Sequence, residues 1–193
     1  VRSDLLHKVI EISNRRGTTV YGFVNEIFEQ AIKADELNAT PTQVVEYYSL
    51  METMKKAGAV IITLDILNHC IEKLSRIDKD LSKKWYTSGL WYGKYLSAKF
   101  QDPLETLKKI LTTCFWEITE VELIQKDEEN LTLRVLAPNH TEVHTELLLR
   151  FVEGIVNSLD YKVQREEHWK GIILLDLQKR IMPADMELEI ETI

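Results

Sequence analysis

The scarce chemistry-bearing side chains of this 193-residue sequence are its five histidines and two cysteines. The stretch HTEVH places His140 and His144 four residues apart at the start of a helical pattern. That spacing sets both imidazoles on one helix face, as a zinc protease helix does for its metal. The glutamate differs: Glu142 is third of the five rather than second and faces away from the pair, and no third ligand is evident. Both histidines are therefore expected to be solvated first-turn residues, and no metal and no cofactor is expected. His69 and Cys70 lie beside Leu67 in an apolar helical stretch, where a packed imidazole and a buried thiol are expected; Cys114 is read in the same way. Two cysteines argue against a disulfide framework and a cysteine-based zinc site, and they suit a reducing cytoplasm. The carboxylate pairs Glu166–Glu167 and Glu120/Glu122 read as solvated strand or turn residues. Nucleophile elbow, phosphate-cradling glycine loop and dinucleotide fingerprint are all missing, so no residue is named catalytic and no enzyme is expected. Tyr86, Trp91, Tyr92 and Tyr95, with Phe151, are candidates to line a pocket for a flat or oily ligand. At helical spacing the competing reading of such aromatics is core or dimer surface.

The elements that would position these groups change character along the chain. Leu5, Val9 and Ile12 make one apolar face behind a Ser3–Asp4 start, and Gly17 closes that helix after Arg15 and Arg16. Thr18 or Thr19 caps a second helix with the stripe Val20, Phe23, Val24, Ile27, Phe28, Ala31. Thr40 and Pro41 start a third, which runs to Gly58. AVIIT (59–63) is either a brief buried strand or an extended connector. Helical pattern returns over Leu64–Leu74, Leu81–Phe100 and Leu104–Thr113. Within the second of these, Gly89, Gly93 and Ser97 draw a line of small side chains that permits close approach of another backbone. From Trp116 the period falls to two: ITEVELI and LTLRVL form a hairpin about QKDEEN. A strong helical stripe follows from Val143 to Leu159, then a second hairpin turned by HWKG. Leu174, Leu175 and Leu177 beside Ile172 and Ile173 suggest a strand buried on both faces. The expected fold class is α+β: an N-terminal helical segment, then an antiparallel four-stranded sheet of two hairpins covered by helices. The expected division is 1–58 helical, 59–181 sensor-like, and 182–193 an acidic tail.

Residues 64–180, in element order and in the texture of TELLLRFVEGIVNSLDYKVQREEHWKGIILLDLQ, resemble the 4-vinyl reductase superfamily. Subunits of the transport protein particle tethering complexes share that fold. The resemblance implies a dimeric sensor or scaffold around a hydrophobic cavity. Many members carry metal-holding cysteines in the closing hairpin; His168 and Trp169 stand there instead, so no metal is implied. The opening stretch LLHKVIEISNRRGTTVYGFVNEIFEQAI resembles the two helices of a ribbon-helix-helix DNA-binding unit, whose reading strand would precede Ser3. On that likeness Gly17, Thr18 and Thr19 would offer backbone amides to phosphate, with Arg2, Lys8, Arg15 and Arg16 adding charge.

A net charge of −7 argues against a general nucleic-acid coat but leaves room for a small basic patch. No run approaches the length of a membrane span. The expected function is a cytoplasmic, homodimeric, ligand-responsive transcription regulator that holds DNA with its opening helices and a hydrophobic small molecule with its second half. The alternative is a tethering scaffold without DNA.

Overall fold

The computed structural model describes residues 2–180. The described residues divide into two compact units, the first ending at Glu52 and the second beginning at Thr53. The first unit holds α1 (Ser3–Arg15), α2 (Val20–Glu36) and most of α3 (Pro41–Lys56). Each helix stops in the same way. The residue three past the helix end donates its N–H to a carbonyl of the last turn: Thr18 to Ser13, Ala39 to Ala34, Ala59 to Met54. This closure needs a left-handed residue, supplied by Gly17 (φ 66°), Asn38 (φ 55°) and Gly58 (φ 84°). Thr19 caps α2 by accepting from Gly22 N–H. Thr40 and Gln43 make a reciprocal capping box at the start of α3, each accepting from the other's backbone N–H.

In the second unit, residues 59–63 run extended without joining a sheet, and Val60 and Ile61 are 84% and 74% exposed. There follow α4 (Leu64–Ile77), α5 (Leu81–Lys99), α6 (Pro103–Cys114), β1 (Glu120–Gln125), β2 (Asn130–Leu136), α7 (Glu142–Ser158), β3 (Tyr161–Trp169) and β4 (Ile172–Lys179). The strands form one antiparallel sheet in the order β1-β2-β4-β3, as the two-hairpin reading requires. Leu133 pairs with Leu175 and Leu131 with Leu177, so their side chains share one face, and all four are almost fully buried. That face packs with α7, of which Leu147, Leu148, Leu149, Val152, Ile155 and Val156 are sealed from solvent. The opposite sheet face carries ion pairs: Arg134 with Glu120 and Glu122, and Lys126 with Asp176. β4 is consequently buried on one face and only partly covered on the other, where Leu174 is half-buried and Ile172 37% exposed, not on both faces as its apolar run suggested.

The glycine line of α5 meets α7 directly. A Cβ on Gly89 would stand 2.0 Å from Phe151 O, and one on Gly154 of α7 would stand 2.2 Å from Tyr86 O. Only hydrogen at these positions lets the two backbones touch. The crossing fixes α7 along its length, and with it the first turn that carries His144. The acidic stretch 182–193 lies outside the described residues.

Candidate metal centre

His140 sits in the loop between β2 and α7, and His144 in the first turn of α7, behind the N-cap Thr141. The loop is tied from three sides. His140 N–H donates to Ala137 O, Ala137 N–H to Gly171 O, and Gly171 N–H to the Thr145 hydroxyl. Gly171, at φ 75° in the two-residue turn between β3 and β4, lies so close that a Cβ there would be 2.7 Å from Ala137 O. The second hairpin thus braces the loop that carries His140.

The expectation of solvated histidines is reversed. His140 is 0% and His144 2% exposed, and the two rings stack at a centroid distance of 3.7 Å, 9° from parallel. Glu142 points to solvent, as expected. A third donor comes from a part of the chain that sequence spacing could not indicate: Glu117, in the turn between α6 and β1. One donor atom from each of Glu117, His140 and His144 lies within 4.8 Å of the others. Glu117 Oε1 is 3.8 Å from His140 Nε2. Neither ring nitrogen of His140 has a hydrogen-bond partner within the protein, although both are buried. His144 Nδ1 is 2.8 Å from Asn68 Oδ1, on α4.

The electrostatics follow from this packing. Burial, then the adjacent His140, push the His144 imidazole down to about 4 against the opposing pull of Glu117. Burial alone would raise the Glu117 carboxyl. The His140 imidazole, the residue's own backbone N–H and His144 outweigh it, and the group stays below the usual range. A neutral His144 imidazole beside an ionised Glu117 carboxylate is the state in which these two groups ligate a metal. No sequence signal pointed to Glu117 or Asn68.

The other sequence candidates fall elsewhere. His69 and Cys70 are exposed on α4, not packed; Cys114 is half-buried, and burial raises its thiol. Of the aromatic set, Tyr92 packs edge-on against Phe151 at 5.3 Å and donates its hydroxyl to Ala57 O. The Tyr86 hydroxyl accepts from Asn157 Nδ2, and Trp91 stacks on Tyr95 with Trp91 half exposed. Tyr86, Tyr92 and Phe151 thus serve the α5–α7 contact. An open groove of about 340 Å³ lies in the first unit, lined by residues such as Phe23, Ile27, Ala31, Val44 and Val45 of α2 and α3, and none of those aromatics lines it.

No family model and no curated protein matches this chain. Solved structures do. One, concerned with haem distortion in the H-NOX family, is 12% identical, covers 74% of this chain and 89% of its own, and superposes with a TM-score of 0.41. Another, a Cs H-NOX mutant carrying the unnatural amino acid 4-cyano-L-phenylalanine, is 12% identical over 74% of this chain and 97% of its own, with a TM-score of 0.40. At that level the likeness carries neither ligand nor activity to this chain.

These matches correct the resemblances drawn from sequence. The matching structures are H-NOX domains, not 4-vinyl reductase, transport-particle or ribbon-helix-helix proteins. The ligand-responsive DNA-binding transcription regulator and the tethering scaffold fall with them. Local geometry gives a physical reason against the DNA reading. Gly17 N–H is spent on Asn14 O and Thr18 N–H on Ser13 O, so two of the amides meant for phosphate close α1, and the Thr19 hydroxyl caps α2 by accepting from Gly22 N–H. Arg2 pairs with Asp4, and Arg16 with Glu26 while lying over the Phe23 ring. Lys8, Arg15 and the left-handed Gly17 remain on the surface without forming a phosphate cradle.

Proposed function

We propose that this chain is a non-catalytic metal-binding module that holds one divalent first-row cation, zinc foremost, on Glu117, His140 and His144. The observation that carries the reading is His140: fully buried, stacked on a second histidine, with both nitrogens unpartnered beside a carboxylate. Buried polar atoms are nearly always hydrogen-bonded, so a ring left in this state asks for a ligand. Two imidazoles and a carboxylate are borderline donors that suit zinc and its neighbours rather than magnesium or calcium. Tetrahedral zinc at about 2.0–2.1 Å from each donor sets donor atoms roughly 3.3 Å apart, so donor atoms that lie within 4.8 Å of one another need a contraction of up to about 1.5 Å, within reach of side-chain rotation.

Haem, the subject of one matching structure, does not fit these residues. An axial imidazole needs a broad free face at its nitrogen for the macrocycle. Here the second ring stacks at 3.7 Å, and a carboxylate donor lies within 4.8 Å of each imidazole donor. Donors that converge in this way enclose a single small ion. The non-catalytic reading is supported by the sealing of both imidazoles, which leaves Glu117 as the donor with solvent access. Two free thiols support a reducing, cytoplasmic setting. Apolar residues exposed on α2 and α3, among them Phe28, Ile32, Val45 and Tyr48, support a homodimer. No helix among the described residues is long and apolar enough to cross a membrane.

The test is metal stoichiometry and affinity by chelator competition, with cobalt(II) substituted for spectroscopy. Expected are one zinc per chain, a cobalt spectrum of low coordination number, and loss of both in Glu117→Gln and His144→Ala. Zinc binding that survives both substitutions would refute the assignment.

A further inference from the structure

Asn68 belongs to none of the donor atoms, yet it touches the site from a different helix. Its Oδ1 is 2.8 Å from His144 Nδ1, while its Nδ2 reaches the carbonyl of Asn139, next to His140, at 3.5 Å. A carboxamide has one accepting and one donating end. The Asn139 carbonyl claims the donating end, so the accepting oxygen turns to His144. An accepting oxygen requires a proton on Nδ1, which leaves the lone pair on Nε2.

We infer that Asn68 is the positioning residue of the metal centre: it holds His144 in the Nδ1–H tautomer, so that the docking of α4 and the occupancy of the site reinforce each other. This rests on the metal-binding reading above. Metal-ligating histidines generally donate their second nitrogen to such an outer partner, which fixes ring orientation and raises ligand basicity. Here the partner sits on a helix with few other ties. α4 meets α5 and α7 through a small apolar cluster of Ile71, Leu81 and Leu147 flanked by Leu67, Trp85 and Val143. Of its other large apolar side chains, Ile66, Leu74 and Ile77 are exposed and Leu64 is half-buried. If the docked helix strengthens the ligand, linkage requires that the bound cation strengthen docking by the same factor. The extended apolar residues 59–63 lead directly into α4, so occupancy would be transmitted to that segment.

The experiment uses the full chain, zinc as probe and three readouts. ¹⁵N shifts of the His144 ring report its tautomer, chelator competition gives the zinc affinity, and hydrogen exchange follows α4 with and without zinc. Asn68→Asp keeps an acceptor and Asn68→Leu removes it. The wild type is expected to show Nδ1–H before any metal is added. Asn68→Leu should weaken zinc about 10- to 100-fold and lose the zinc-dependent slowing of exchange in α4, whereas Asn68→Asp should retain both. Zinc binding of wild-type strength in Asn68→Leu, or an Nε2–H tautomer in the metal-free wild type, overturns the positioning role while leaving the metal centre standing. A wild type that takes up no zinc overturns both. The tautomer is measured on the unsubstituted chain, so the role stays open to refutation even if Asn68→Leu does not fold.

Discussion

His140→Leu separates what the histidine costs from what it does. In the metal-free protein the ring is fully buried with two nitrogens unpartnered, and an unsatisfied buried polar atom costs about 1–3 kcal/mol. Leucine removes both atoms and restores apolar contact. Against that gain stands the stacking on His144 at 3.7 Å, since a stacked ring pair is worth about 0.5–1.5 kcal/mol. Glu117 also loses its neighbour at 3.8 Å, but its side chain is 20% exposed and can hydrate. The metal-free variant should therefore be more stable than the wild type by about 1 kcal/mol, a rise in Tm of about 2–4 °C for a chain of this size. Zinc inverts the order. At a hundred times Kd it stabilises the wild type by about 2.7 kcal/mol and the variant not at all. The assay is urea unfolding of the chelator-treated and zinc-loaded proteins at neutral pH. If metal-free His140→Leu were less stable than the wild type, His140 would be a satisfied packing residue, and the argument from its unpartnered nitrogens would fail.

Two further outcomes follow from the same geometry. His144 has its proton affinity lowered from 6.5 to about 4 in the folded chain. Between those values the unfolded chain binds a proton that the folded chain refuses, so this stabilisation is complete above 6.5 and falls as pH drops toward 4, by up to about 3 kcal/mol. Urea midpoints across that range should show the loss in the metal-free wild type and not in His144→Asn; matching profiles would mean the imidazole titrates normally. Gly154→Ala drives a methyl to 2.2 Å from Tyr86 O and 2.9 Å from Leu90 N, both backbone atoms. Alanine's helix preference returns about 1 kcal/mol, yet prising α5 from α7 should cost more, for a net loss of about 2 kcal/mol and a Tm lower by about 4–8 °C; a thermal melt unchanged from wild type would contradict the close crossing.

What could be seen in the sequence was what rests on local pattern. The hairpins, the helix caps at Thr40 and at Thr18 or Thr19, and the helix closure at Gly17 obey rules that act within a few residues. The small-residue line Gly89–Gly93–Ser97 foretold a backbone contact, though not that Gly154 would answer it from α7. Pattern failed where tertiary packing decides. HTEVH reads as a polar first turn because its residues are polar; only the brace from Gly171 and Thr145 draws that turn under cover. Glu142 faces solvent, as its place in HTEVH indicates, so the carboxylate of the cluster comes from outside the motif. Glu117 lies in a turn that alternation cannot describe, with the larger apolar Trp116 beside it 63% exposed. A hydrophobicity count places those two the other way round. Cys70 and His69 failed for the converse reason: an apolar helix with one small docking cluster leaves most of its circumference in water.

Among the described residues, the burial of the stacked pair His140 and His144 is where the fold works most plainly against its own stability. Across the sheet and its contact with α7 the choices agree: apolar strand residues face apolar α7, glycines meet backbone, and charges pair across the open sheet face, although Arg134 Nε is also buried without a hydrogen-bond partner. A sequence consistent at every level is expected to break its rules where something other than folding is served. The break here is not a stray polar residue tolerated at an edge. It is a stacked pair with a carboxylate brought to it from another turn, and with an amide from a third element setting the tautomer of one ring. Random polar burial has no reason to recruit a donor set that converges, or to orient a lone pair within it. Convergence and orientation together are what a bound cation requires, and that is why the metal-binding reading rests on this cluster and not on the H-NOX likeness.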